Sequence, residues 1–491
     1  MKRRTFVQTI TGSTALSALT SPAMLLANQG GRSMYDASTY LDGNFAPVAE
    51  EITATDLEVI GELPPALNGR YLRNGPNPLG AVDLATHHWF SGEGMVHGVR
   101  LSEGRAQWYR NRYVRSENIV CALGEDPAGR TFAGSANTHV IGLAGRTFAI
   151  VEAGAPPVEL TEELDTVGAN NFFGTLPDMA FSAHPKIDPQ TGDLHAMAYS
   201  WPGFLDHVQY VHVGRDGRVK KTLDVPVPGM VMMHDMSLTG RFVVIYDLPV
   251  TVSGALISQG MRFPFAWNPD YEPRVGLLPR DGTASDIVWI TVPPCYVFHP
   301  MNAYDADDGS VVVDVCRYDR MFDRDHNGPF GDSLATLRRW TLNPATRRFS
   351  ETVVDDRPQE FPRCHPALNS RPYRYGYSVA VAGGGSEFPA ILKQDLKTGT
   401  SSVFELGAGR HSGEPYFVPR REASSEDDAS SEDDGYLMSF VYDGERDASE
   451  LLVLDARDLG RPPLARVMLP ARVPYGFHGS WVPEGWDGPS V

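Results

Sequence analysis

Glycine and proline interrupt this chain too often for long helices. Forty-eight glycines and 38 prolines fall among 491 residues. In a helix interior each glycine costs about 1 kcal/mol relative to alanine, and each proline about 3 kcal/mol. The same residues suit turns, because glycine accepts positive φ and proline presets the first corner. The chain is therefore read as many short strands joined by turns. Residues 241–246, 312–315 and 450–454 are aliphatic or β-branched runs bounded by Gly, Asp, Asn or Pro. Hairpin signals recur at Asp188-Pro-Gln-Thr-Gly192, Arg215-Asp-Gly217, Asp307-Asp-Gly309 and Leu396-Lys-Thr-Gly399. No linker divides the chain after residue 45, so residues 45–490 are read as one large all-β domain. A β-propeller is the economical architecture, with a β-sandwich array or a β-helix as the alternative. Seven blades would receive about 60 residues each, against about 40–45 in a simple blade. The surplus reads as loops on one face.

The ends and charges narrow the class further. Lys2, Arg3, Arg4 and Phe6 precede a mildly apolar stretch rich in Ala, Thr and Ser that reaches Ala27. Residues 1–30 read as a bacterial export signal. The order Arg3-Arg4-x-Phe6 is similar to a twin-arginine signal, and an ordinary Sec signal is the alternative. The mature protein is thus expected in the periplasm, soluble or peripheral to a membrane. A net charge of -18 argues against nucleic acid as a partner. Cys121, Cys295, Cys316 and Cys364 form no CxxC pair, which argues against a thiolate zinc site or a disulfide scaffold. One incidental disulfide stays open on spacing alone. Residues 421–435 carry Glu422, Glu426, Asp427, Asp428, Glu432, Asp433 and Asp434 among Ser and Ala. They read as a solvated, disordered hairpin tip, since they lack the ordered ligand spacing of a calcium loop.

Four of the 14 histidines share a context. His184 (Phe-Ser-Ala-His-Pro), His234 (Met-Met-His-Asp), His299 (Val-Phe-His-Pro-Met-Asn) and His478 (Tyr-Gly-Phe-His-Gly) each follow an apolar residue beside a strand signal. A His-x-x-x-His pair would mark one helix carrying two ligands. These wide separations instead allow four inner strands to present one imidazole each at a common axis. Four unrelated core histidines would give the same spacing. Glu152, Glu360 and Glu414 also sit in apolar company. A ligating imidazole needs an acceptor for its other N–H, and a carboxylate fixes its tautomer. Taken singly, each glutamate is more often a surface or turn residue.

At these residues the chain resembles the carotenoid cleavage oxygenase family. The resemblance extends from about Leu57 to Trp481 and includes Gly69-Arg-Tyr-Leu-Arg-Asn-Gly-Pro-Asn-Pro78 and Phe90-Ser-Gly-Glu-Gly-Met-Val-His97. The histidine and glutamate segments follow in family order. The resemblance implies a seven-bladed β-propeller with a helical and loop cap over the top face. It implies one Fe(II) per chain, bound by His184, His234, His299 and His478, with Glu152, Glu360 and Glu414 holding three of those imidazoles. It further implies oxidative cleavage of a conjugated C=C bond with O2 into two carbonyl products. By ligand type alone, four imidazoles would equally suit Zn or Cu. No protein acid, base or nucleophile is then required; the chain holds the metal, admits O2 and places one double bond beside it.

Some members of that family cleave phenolic stilbenes and grip the phenol with a Tyr and a Lys. Tyr113 could supply the first, but Val151 stands where the second would fall. This favours a carotenoid or apocarotenoid over a stilbene or phenylpropanoid. A non-catalytic propeller that binds a ligand is the alternative from another class. Residues 248–267 are apolar and irregular by sequence, and they resemble the family's tunnel mouth, which touches membranes. Tyr113, Phe263, Phe265 and Trp267 are the candidate tunnel residues. Ordinary blade-loop packing would explain the same composition.

Overall fold

The computed structural model describes residues 37–126, 132–177, 180–200, 203–420 and 432–491. The expected export signal and residues 421–431 of the acidic run lie outside them. The described chain is mostly β, with two short α-helices, Glu117–Leu123 and Gly254–Ser258. The expectation of many strands and turns is met, and all four hairpin signals join antiparallel neighbours.

The strands form antiparallel sheets that follow one another along the chain. The first closes the two ends of the fold: Gly69–Pro76 lies between Gly94–Ser102 and the late strand Gly479–Pro483. Four-stranded sheets follow, opening at His139–Leu143, at Lys186–Ile187 and at Met236–Leu238. The 17-residue strand Arg348–Cys364 then serves two sheets, pairing first with Thr336–Asn343 and farther along with Tyr375–Ala380. A last sheet centres on Gly435–Asp443 and Ala448–Asp455.

The core lies between successive sheets. Leu72 and Trp108 of the first pack on Val140 and Ala149 of the second. Ile141 and Phe148 pack on Leu194 and Val211, and Tyr377 and Ile391 on Leu437 and Leu452. Tyr71 and Val99 of the first sheet meet Met438 and Leu451 of the last. The ends join through a close backbone approach. A Cβ on Gly479 would lie 2.2 Å from the Leu72 carbonyl oxygen, so only glycine lets this strand seat beside Gly69–Pro76.

Two readings need correction here. Residues 248–267 are not irregular throughout: Val250–Val252 pairs with Phe265–Trp267, and Gly254–Ser258 is helical between them. The solvated tip does not extend to its last three acids. Glu432 accepts the backbone N–H groups of Arg374 and Tyr375, Asp433 lies 2.6 Å from Lys393 Nζ, and Asp434 pairs with Arg420. Composition alone does not reveal partners 14–58 residues away in sequence.

Burial of neutral histidines makes this fold acid-sensitive. Burial pushes His97 and His195 down to about 3, and His365 down to about 4. The unfolded chain takes up these protons near 6.5, whereas the fold refuses them until about 3 to 4. Unfolding therefore absorbs protons in that window, and stability is lost as pH falls. We expect the melting temperature, measured at constant ionic strength, to drop progressively from pH 6.5 to 4. A flat profile there would show that these imidazoles are not held neutral.

Candidate metal centre

Each of the four histidines lies in, or one or two residues before, an edge strand of a different sheet. His184 stands two residues before Lys186–Ile187, His234 two before Met236–Leu238 and His478 one before Gly479–Pro483; His299 lies within Tyr296–Asp305. Local backbone bonds fix their entry. The His478 carbonyl accepts the Asn74 N–H at 3.0 Å, and the His478 N–H reaches the Thr138 carbonyl. Residues 50 to about 300 apart in sequence thus converge on one point.

The convergence is tight. Ring centroids of His184 lie 4.2, 4.7 and 5.3 Å from those of His234, His478 and His299. Nε2 of His234 faces Nε2 of His299 at 3.3 Å. Three carboxylates take the opposite ring nitrogens. Glu152 Oε1 lies 2.8 Å from His234 Nδ1, Glu360 Oε2 2.6 Å from His299 Nδ1, and Glu414 Oε1 3.0 Å from His478 Nδ1. Each of the three glutamates thus faces one histidine, the Glu152–His234 contact as a close ion-pair approach rather than a hydrogen bond. The His184 Nδ1 lies 4.0 Å from Asp235, which also holds Lys186.

Burial keeps the imidazole lone pairs of His184 and His478 available. Burial, with the other imidazoles beside it, holds His184 well below the ordinary histidine range. Burial also depresses His478 strongly, although the Glu414 carboxylate works against it. At His299 burial acts in the same direction, but Glu360 outweighs it and raises the imidazole. Burial would raise Glu414, yet Arg363 and His478 keep it well below the ordinary carboxylate range.

The donor set fits a metal ion. The buried Nε2 of His184 has no hydrogen-bond partner, a costly state for a polar atom without a ligand. Donor atoms of His184, His299 and His478 lie within 4.8 Å of one another. With carboxylates on Nδ1 of the other three, each Nε2 is the atom left to coordinate.

The cluster stands between two cavities that share His299 and His478 in their walls. The smaller, about 90 Å³, includes His184, Asp235, Arg363 and Glu414. The larger, about 250 Å³, includes His234 and an aromatic wall of Phe90, Phe263, Phe265, Phe298, Phe361 and Phe477. Of the four candidate tunnel residues, Phe263 and Phe265 line it. Trp267 does not: it packs in the core and carries Arg320 on its ring. A strand advances about 3.3 Å per residue, so two residues beyond Phe265 the chain has left the wall. Tyr113 is also elsewhere, in a separate polar cavity with Arg112 and Arg115, its hydroxyl capped by Asn77.

Residues 45–483 match the family described as retinal pigment epithelial membrane protein. The chain is 46% identical to the carotenoid cleavage oxygenase of Mycobacterium tuberculosis H37Rv, over 90% of this chain and 97% of that one. The chain belongs to the carotenoid cleavage oxygenase family. Another member, the carotenoid 9,10(9',10')-cleavage dioxygenase of Crocus sativus, is 32% identical over 91% of this chain and 89% of its own. Among solved structures, the Pseudomonas brassicacearum lignostilbene dioxygenase aligns with a TM-score of 0.81 at 31% identity, covering 91% of this chain and 98% of that one. The cobalt-substituted Synechocystis apocarotenoid oxygenase aligns with a TM-score of 0.79 at 27% identity, covering 92% of this chain and all of that one.

Family motifs did not expose several site residues. Asp235 directly follows a candidate ligand, but nothing in the sequence marks it as the group facing His184. Tyr199 and Tyr318 donate their hydroxyls to Glu152 and Glu360 at 2.9 and 3.1 Å, bracing the carboxylates that brace the histidines. Arg363 forms a forked pair with Glu414 at 2.7 and 3.0 Å. It lies three residues after Glu360, in the segment already singled out, and a basic residue among apolar ones was the available signal.

Proposed function

We propose that this protein is an Fe(II)-dependent dioxygenase that cleaves one C=C bond of a carotenoid or apocarotenoid with O2. Each product carries one of the two oxygen atoms as a carbonyl. The observation that carries this reading is the four-imidazole cluster, three of its members backed by glutamate, forming one end of an aromatic cavity. Iron, one per chain, would be held by His184, His234, His299 and His478. When bound, such an ion supplies the redox chemistry with O2 that no side chain offers. The chain's own residues orient the imidazoles, exclude water with the phenylalanine wall, and present one double bond to the centre.

The cyclic packing of sheets, with the last against the first, supports a seven-bladed propeller if Arg348–Cys364 is counted in two blades. Among the described residues no helix is long and apolar enough to cross a membrane. Peripheral contact near residues 248–267 is supported by the 40% exposure of Ile257 on the short helix Gly254–Ser258. Export to the periplasm follows the reading of residues 1–30.

Stilbene cleavage is the second reading, favoured by the likeness to the lignostilbene dioxygenase. Against it, Val151 lines the larger cavity where the phenol-gripping lysine would fall, and Tyr113 is outside that cavity. The test is iron analysis and O2 uptake with a panel of carotenoids, apocarotenoids and stilbenes, followed by product masses. Iron near one per chain and paired carbonyl fragments from a polyene are expected. Fragments from stilbenes alone would reverse the substrate assignment. No iron-dependent O2 uptake on any substrate would remove the oxygenase reading.

A further inference from the structure

The larger cavity contains one cation whose partner the fold does not provide. Arg262 lines it beside Phe263 and is exposed. Among the described residues, no carboxylate lies within ion-pair distance of its guanidinium. The other polar side chains of the wall, apart from the Trp89 indole, are committed. Asn137 spends both Nδ2 hydrogens on the Phe90 and Gly92 carbonyls, and Thr138 donates to Asn137 Oδ1. Tyr199 and Tyr318 donate to Glu152 and Glu360, which in turn face His234 and His299. Among the described residues of the wall, Arg262 is the uncommitted charged donor, with up to five N–H groups in a planar fork. Its charge reaches inward: His87, itself buried, is held below the usual histidine range by burial and by Arg262.

We propose that Arg262 selects polyenes that end in a carboxylate, holding that end at the cavity opening while the apolar chain passes along the phenylalanine wall toward the histidines. This rests on the oxygenase reading and names its substrate class. A guanidinium fork matches a carboxylate in two parallel charge-assisted bonds, a geometry that a terminal alcohol cannot reproduce. The wall's other charges favour the same orientation. Glu152 and Glu360 stand at the histidine end, where a second carboxylate would meet like charge, so the anionic end belongs at Arg262. A hydrocarbon terminus would leave the arginine's donors to water and gain nothing from it.

The test compares all-trans retinoate with all-trans retinol, which differ only at the terminus. Binding to the purified full chain is followed by quenching of tryptophan fluorescence, to which Trp89 in the wall contributes. The wild-type chain is expected to prefer retinoate by about tenfold or more, in line with hydrogen bonds to charged groups. Arg262→Ala should bring the ratio near one, and Arg262→Lys should leave part of it, because lysine keeps the charge but not the fork. A wild-type ratio near one, or a ratio unchanged in Arg262→Ala, overturns the proposal. So does an arginine whose loss weakens only co-sedimentation with phosphatidylglycerol vesicles, which would make it a lipid contact. Binding is read without turnover. Selectivity without O2 uptake would therefore fail the oxygenase reading alone, and turnover without selectivity would fail Arg262 alone.

Discussion

Replacement of His299 by alanine is expected to abolish iron retention and O2 uptake together, while the β-rich circular dichroism persists. His299 faces His234 across 3.3 Å and lines both cavities, so its loss opens the cluster at its centre. Losing an outer partner of a metal ligand typically costs 10–100-fold in affinity or activity; losing the ligand itself should exceed that range. The fold should survive because Glu360 keeps two donors, the Tyr318 hydroxyl and the Phe361 N–H. A penalty of about 1–3 kcal/mol for the unsatisfied carboxylate is expected. His207→Ala is the matched control: that imidazole pairs with exposed Asp206 at the start of strand His207–Val213, so iron content should be unaffected. Full iron content and activity in His299→Ala would remove this residue from the ligand set.

Much of this centre is legible in the sequence, for a physical reason. A ligand set spread over separate strands leaves histidines far apart, each flanked by apolar residues that bury its strand. His184, His234, His299 and His478 carry that signature. The supporting shell does not. Asp235 follows His234 in sequence yet serves His184, and Tyr199 braces Glu152 from another sheet; neither pairing has a local pattern. The tunnel expectation failed at Trp267 and Tyr113 because apolar or aromatic character does not tell which face of a strand, or which end, meets the cavity. Phe263 and Phe265 line the cavity through the short ribbon of Val250–Val252 and Phe265–Trp267, which composition alone does not reveal. Arg262 stands between apolar neighbours, and a lone cation in such a run is itself a signal. The acidic run shows the reverse error: a composition typical of solvated chain still ends in Glu432, Asp433 and Asp434, each with an ordered partner.

Glu414→Ala should produce the largest loss of stability among the buttressing positions. Glu414 is 4% exposed and accepts from four donors: the Arg363 fork, His478 Nδ1 and the Gly479 N–H. Alanine leaves the Arg363 cation without its carboxylate and frees the His478 ring. Breaking a buried ion pair from one side costs about 3–5 kcal/mol, so a clear fall in the unfolding midpoint is expected. Iron retention should also fall, by the 10–100-fold of a lost outer partner. The two effects have separate causes, and a double variant divides them. Glu414→Ala with Arg363→Met removes the whole ion pair, and apolar replacement of a buried pair is often neutral. Stability should therefore recover in the double variant while iron retention stays low, because nothing then holds His478 Nδ1. Recovery of both would mean that Glu414 serves the fold alone. Failure of stability to recover would mean that the carboxylate's bonds to His478 and Gly479, which tie the last strand to the site, matter more to the fold than its pairing with arginine.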